Sequence, residues 1–118
     1  MAARALKPPY EPPYYAVIFT SELTADTDGY GAMADRMVEL AAQQPGFLGI
    51  ESARETIGIT VSYWRDLPSI AAWRSHVEHL GAQRFGKERW YRRYHLRIAR
   101  VEREWQFERG ADSGKAGS

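Results

Sequence analysis

The chain has 118 residues, enough for one domain with its own core. Its 44% apolar and 26% charged residues are ordinary for a soluble globular protein, and a net charge of +1 supplies no global field toward nucleic acid or acidic lipid. The lack of cysteine excludes disulfides and thiol nucleophiles and removes zinc's favourite ligand. No apolar run approaches the ~20 residues that span a bilayer. The opening MAARALKPPY lacks the apolar core of a secretory signal, so a cytoplasmic location is expected.

Residues 1–13 read as an extended arm. Pro8-Pro9-Tyr10 and Pro12-Pro13-Tyr14 fix φ and favour a polyproline-like path over a helix. Such an arm reads as a lead-in lying along the domain or a partner subunit, rather than as a ligand for a proline-binding module. The domain proper is expected over 14–109, with the Gly- and Ser-rich 110–118 as a flexible tail.

Tyr14 to Leu23 is the first expected strand. Tyr15, Val17 and Phe19 alternate with Tyr14, Ala16 and Ile18, so both faces are apolar. A strand of this kind is central in its sheet and covered on both sides. Thr24 to Asp28 offers N-cap candidates for a helix from about Gly29 to Gln43, with Tyr30, Met33, Met37, Leu40 and Ala41 on its core stripe. Pro45-Gly46 ends it.

Two strands follow, Phe47 to Arg54 and Ile57 to Trp64, joined as a hairpin. In the second, Thr60, Ser62 and Trp64 make a small, polar face suited either to a cavity wall or to solvent. The helix after Pro68 carries Ile70, Trp73, Val77 and Leu80 on one stripe. Ala72, His76, His79 and Gln83 form a neighbouring stripe if the helix continues past Gly81. A short helical piece is expected over Gln83 to Arg93, then a long strand from Tyr94 to Phe107. The phase slip between Ile98 and Val101 predicts a bulge, or a strand that leaves its sheet.

The order is βαββαβ. That is the α+β, ferredoxin-like arrangement, a four-stranded antiparallel sheet with two helices on one face. The first strand still demands cover on its second face. A second copy packing sheet against sheet supplies it, so a homodimer is expected.

With this order in hand, QPGFLGIES (Gln44 to Ser52), SYWRD (Ser62 to Asp66), AWRSHVEH (Ala72 to His79), AQRFGKERWYRRY (Ala82 to Tyr94) and ARVER (Ala99 to Arg103) carry a resemblance. Over about residues 14 to 107 the chain resembles the antibiotic biosynthesis monooxygenase superfamily of dimeric α+β barrels, and within it a bacterial subgroup of small proteins. The resemblance implies a pocket between sheet and helices. It also implies a choice of activities, since the superfamily includes cofactor-free quinone-forming oxygenases and haem-degrading enzymes. A tryptophan on the second helix of the haem-degrading members matches Trp73. Their haem-ligating histidine falls where this chain has Gln83, and their first-strand asparagine falls near Thr20. Glutamine is not an ordinary iron ligand, so haem degradation is the less favoured of these implications.

Trp73, His76 and His79 are the catalytic candidates, with Tyr63, Trp64, Gln83, Trp90, Tyr91 and Tyr94 as substrate-binding candidates. A cofactor-free oxygenase deprotonates an electron-rich phenol and holds the anion in a dry pocket where O₂ reacts. Histidine is a suitable base, and indole and phenol rings supply walls with hydrogen-bonding tips. The alternative reading makes Trp73 core, His79 an edge residue and His76 solvated.

Other chemistries find less support. His76 and His79 lack both the i, i+4 spacing of a zinc protease and a nearby third ligand, so no metal is expected. The arginines from Arg84 to Arg103 alternate with rings, but neighbouring glutamates and the near-zero net charge favour a paired surface over nucleic-acid binding. No glycine-rich phosphate loop or nucleophile elbow is present, so no nucleotide or flavin cofactor is expected. The expectation is a cofactor-independent monooxygenase acting on a small aromatic or quinol-like molecule. A non-catalytic dimeric small-ligand-binding or stress-linked module is the alternative.

Overall fold

The structure, a computed structural model, describes residues 11–110, apart from the side chains of Ala82 and Gln83. The expected arm and tail therefore lie almost wholly outside the described residues. Eight elements follow in order: β1 (Tyr14–Leu23), α1 (Tyr30–Ala42), β2 (Phe47–Arg54), β3 (Gly58–Trp64), α2 (Leu67–Leu80), α3 (Ala82–Phe85), a π-helical turn (Gly86–Trp90) and β4 (Tyr91–Val101). The sheet is antiparallel throughout, in the order β2-β3-β1-β4. This is the ferredoxin-like fold.

Register assigns every side chain to a face. Tyr15 pairs with Trp64, Val17 with Ser62 and Phe19 with Thr60, and this set faces the helices. Tyr14, Ala16 and Ile18 lie opposite, on the face that neither helix covers, together with Ile59, Val61 and Tyr63. The core on the helix side is built on Ala41, Trp64 and Ile70, with Tyr15, Val17, Phe47 and Trp73 packed against it. Trp64 is fully buried, and its indole Nε1 donates to Ser62 Oγ at 2.9 Å. The polar face of β3 thus serves the core.

Local chemistry sets the helix ends. Asp66 caps α2, its carboxylate accepting from the Ser69 amide at 2.9 Å and from Ser69 Oγ at 2.6 Å, with Pro68 in the first turn. Gly81 closes α2 in the left-handed region at φ +76°. Gly46 also has positive φ, and a Cβ there would fall 2.1 Å from Ser69 Oγ.

Three expectations need correction. α1 begins behind Gly29 (φ +82°) with no side-chain cap, because the N-cap residue is itself a glycine; of the expected candidates, Thr24 donates its hydroxyl to the Arg89 carbonyl at 2.7 Å and Asp26 accepts from Arg89. The last strand starts three residues earlier than Tyr94 and stops at Val101, since β1 begins at Tyr14, the partner of Val101. The register shift lies at its other end, between Glu22 and Leu23. Beyond Val101 the chain leaves the sheet, and Tyr14 OH donates to Glu104.

Candidate functional site

Two groups of side chains occupy the helix-facing side of the sheet. The first is a stack. The Trp64 and Trp73 rings lie 6.0 Å apart at 25°, and His76 continues the stack 5.8 Å from Trp73 at 29°. At about 100° per residue, His76 sits about 60° around the helix from Trp73, close enough to share its inward side. His76 Nε2 is buried with no hydrogen-bond partner among the described residues. A ring nitrogen in that state is chemically uncommitted.

His79 is not part of this stack. It lies about 120° from Trp73 around the helix. There it is exposed, and with Gly81, Arg84, Phe85 and Lys87 it lines a shallow open groove at the end of α2. Of the catalytic candidates, then, Trp73 and His76 come together and His79 stands apart.

The second group gathers at the start of β4. Phe19 lies 5.4 Å from Tyr91 and 5.1 Å from Tyr94, while Tyr91 meets Tyr94 at 5.6 Å and Tyr30 at 5.8 Å. Burial first, and then the neighbouring Tyr30, pushes the Tyr91 phenol well above its ordinary pKa. Arg54, from the last position of β2, joins this group. Its Nη2 donates to Ser21 Oγ at 2.5 Å and reaches Tyr30 OH at 3.5 Å, with the guanidinium carbon 5.5 Å from the Tyr30 ring centroid. Its Nη1 is buried without a hydrogen-bond partner among the described residues. Val17, packed on the Trp64 core, and Phe19 stand two residues apart on one face of β1 and connect the two groups.

The remaining candidates are placed differently. Tyr63 is on the opposite face of the sheet, edge-on to Tyr14 at 6.0 Å, and its hydroxyl donates to Glu51 at 3.1 Å. Desolvation, then the Glu51 charge, pushes its pKa up to about 12. Trp64 is core, with its indole hydrogen already bonded. Trp90 is 4% exposed and packs 4.7 Å from Phe85 and 5.7 Å from Tyr30. Gln83 belongs to α3 by its backbone, and its side chain lies outside the described set.

Surface charges are partly paired. Arg89 holds Asp26 with both Nε (3.2 Å) and Nη2 (3.0 Å), Arg93 approaches Glu22 at 3.8 Å, and Arg100 approaches Glu102 at 3.2 Å. The Arg89 hydrogen bonds hold the Asp26 carboxyl below its ordinary pKa. Among the described residues no three histidine or acidic side chains group as metal ligands, and no helix is long and apolar enough to cross a membrane.

Arg54 was not apparent as a site residue in the sequence, where it only closes a strand. Its partners Ser21 and Tyr30 lie 33 and 24 residues away, so no local motif marks it.

The fold accords with one family. Residues 15–84 match the family model of the antibiotic biosynthesis monooxygenases. The chain belongs to that family. It is 53% identical over 100 residues to the uncharacterised Bacillus subtilis protein YqjZ, covering 83% of this chain and 88% of that one. Two solved structures share the fold. A candidate antibiotic biosynthesis monooxygenase of Nitrosomonas europaea superimposes with a TM-score of 0.62 at 16% identity, over 76% of this chain and 92% of its own. The Pseudomonas aeruginosa protein PA3566 gives 0.63 at 14% identity, over 82% of this chain and 100% of its own. The matched segment of the family model ends before the π-helical turn, so Trp90, Tyr91 and Tyr94 lie beyond it.

Proposed function

We propose that the protein is a cytoplasmic, homodimeric, cofactor-independent monooxygenase that oxidises a small phenol or quinol between the sheet and the two helices. The observation that supports this most is His76 Nε2, buried, unpartnered among the described residues, and carried on a ring stacked against Trp73. A neutral imidazole nitrogen there accepts the phenolic proton when its own proton is on Nδ1. The phenolate then gives one electron to O₂. The ring radical and superoxide combine at a ring carbon that bears hydrogen, and loss of water from the hydroperoxide leaves a carbonyl. Phenol plus O₂ becomes quinone plus water, and no external reductant enters the balance. Trp64 and Trp73 keep the surroundings apolar, so the anion gains nothing from bulk water.

Support for the dimer comes from the sheet face that the helices leave open. Ile59 on that face is 45% exposed, and Trp105 and Phe107, in the segment past β4, are 83% and 64% exposed. Large apolar side chains exposed in this number call for a partner surface.

The test is oxygen uptake by the purified protein with a panel of quinols and phenols, in the presence of a chelator. Uptake matched one to one by quinone is the expected result. Binding of an aromatic without uptake across the panel would instead favour a non-catalytic small-ligand-binding module.

A further inference from the structure

We propose that Arg54 is the receptor for the oxyanion of a small aromatic acid, bound beside the rings of Tyr30 and Tyr91. The inference rests on reading the helix-facing side of the sheet as the ligand site, but it does not depend on turnover. Its basis is the way the guanidinium is held. One side is committed to the protein: Nη2 donates to Ser21 Oγ, a side chain only 2% exposed, and lies near Tyr30 OH. The other side is not, since Nη1 is buried without an acceptor among the described residues.

No described carboxylate forms an ion pair with Arg54. The acidic groups that do form ion pairs engage Arg36, Arg65, Arg74, Arg89, Arg93 and Arg100. In a half-buried arginine, a guanidinium nitrogen withdrawn from water with neither counter-ion nor acceptor is in an unfavourable state that an anion relieves. The fixed fork of arginine suits a planar carboxylate.

The surroundings fit an aromatic acid in particular. Tyr30 lies under the guanidinium, and Tyr91, Tyr94 and Phe19 extend the ring surface from it. Tyr91 stays an un-ionised phenol, so no phenolate competes for Arg54. Gly58, opposite Arg54 in the β2–β3 pair, completes the seat: a Cβ there would fall 2.1 Å from Nη2 and 2.2 Å from the guanidinium carbon.

Isothermal titration calorimetry of the full chain with 2-naphthoate and with its neutral counterpart, 2-naphthamide, tests the proposal. The wild type is expected to bind the acid about tenfold more tightly than the amide, the scale of one charge-assisted bidentate contact. In Arg54→Gln that preference falls to about unity while amide affinity persists. Gly58→Ala, which retains the arginine but displaces its guanidinium, gives the same loss of preference and covers the case in which Arg54→Gln does not fold. Equal affinity for acid and amide in the wild type, or binding of neither, overturns the proposal. So does a parallel loss of both ligands in Arg54→Gln, the signature of a residue that only ties β2 to β1 and α1. Failure of oxygen uptake alone would leave the preference for the acid intact and would count against the oxygenase reading only.

Discussion

Trp90 and Asp28 are joined across 62 residues of sequence: the indole Nε1 donates to the Asp28 carbonyl oxygen at 2.8 Å. The bond fastens the π-helical turn before β4 to the approach to α1. The neighbouring Thr24 amide donates to the Trp90 carbonyl at 2.7 Å and reinforces it. Phe85 and Tyr30 close over the ring. Trp90 therefore holds the π-helical turn, Tyr30 and the approach to α1 in one frame.

Trp90→Ala removes a buried indole and its hydrogen bond, and is expected to cost about 3–5 kcal/mol of stability. Trp90→Phe keeps most of the volume and loses the donor, a change of about 1 kcal/mol. Urea denaturation of the three proteins measures both. An alanine variant within about 1 kcal/mol of wild type would show that the turn is not held by this side chain.

The architecture was legible in the sequence because its signals are local. The continuous apolar run from Tyr14, the Pro45-Gly46 stop and the Asp66-Leu67-Pro68-Ser69 start each act within a few residues. The site was legible only in part. Trp73 and His76 share one helix, so their stacking follows from spacing. Arg54 meets Ser21 and Tyr30 through sheet register and helix docking, which no short pattern encodes. His79 follows His76 by three residues, a further 60° or so round α2 from Trp73, and that offset carries it to solvent. Tyr63 and Trp64 are adjacent in sequence and so fall on opposite faces of β3. Only one of the two can face the helices.

Tyr63 predicts an alkaline effect. Its folded pKa is raised from 10.0 to about 12, by desolvation first and Glu51 second. The folded state therefore keeps the proton longer than the unfolded chain. The associated stability is present in full below pH 10 and is lost as pH rises from there toward 12. Denaturation midpoints across that window should fall less steeply for Tyr63→Phe than for wild type. Parallel curves would mean that the phenol is neither desolvated nor held by Glu51 in solution.

The open sheet face predicts an assembly phenotype. In sedimentation velocity the wild type should run near twice its 13.5 kDa chain mass. Ile59→Lys places a charge on an exposed position of that face and should shift the protein to monomer at micromolar concentration, with its far-UV circular dichroism unchanged. A wild type that sediments as a monomer would remove the homodimer from the proposed function. A dimer that survives the lysine would move the interface elsewhere, with the exposed Leu96 and Ile98 of β4 as the next surface to alter.

The two histidines of α2 separate the catalytic reading most sharply. His76 is stacked on Trp73 with a buried, unpartnered Nε2, whereas His79 faces the solvent groove at the end of the helix. If His76 takes the phenolic proton, His76→Ala should lower kcat about 10²–10⁴-fold on an accepted quinol, the usual range for a lost general base. His79→Ala should stay within about twofold of wild type, because a surface substitution at that distance leaves the reacting geometry unchanged. His76→Gln, which keeps a hydrogen-bonding side chain of similar reach but no basic ring nitrogen, should lose as much rate as His76→Ala, the result that separates a base from a packing residue. Equal losses in the two alanine variants would point to the helix end, and intact activity in His76→Ala would leave the ring stack as packing alone.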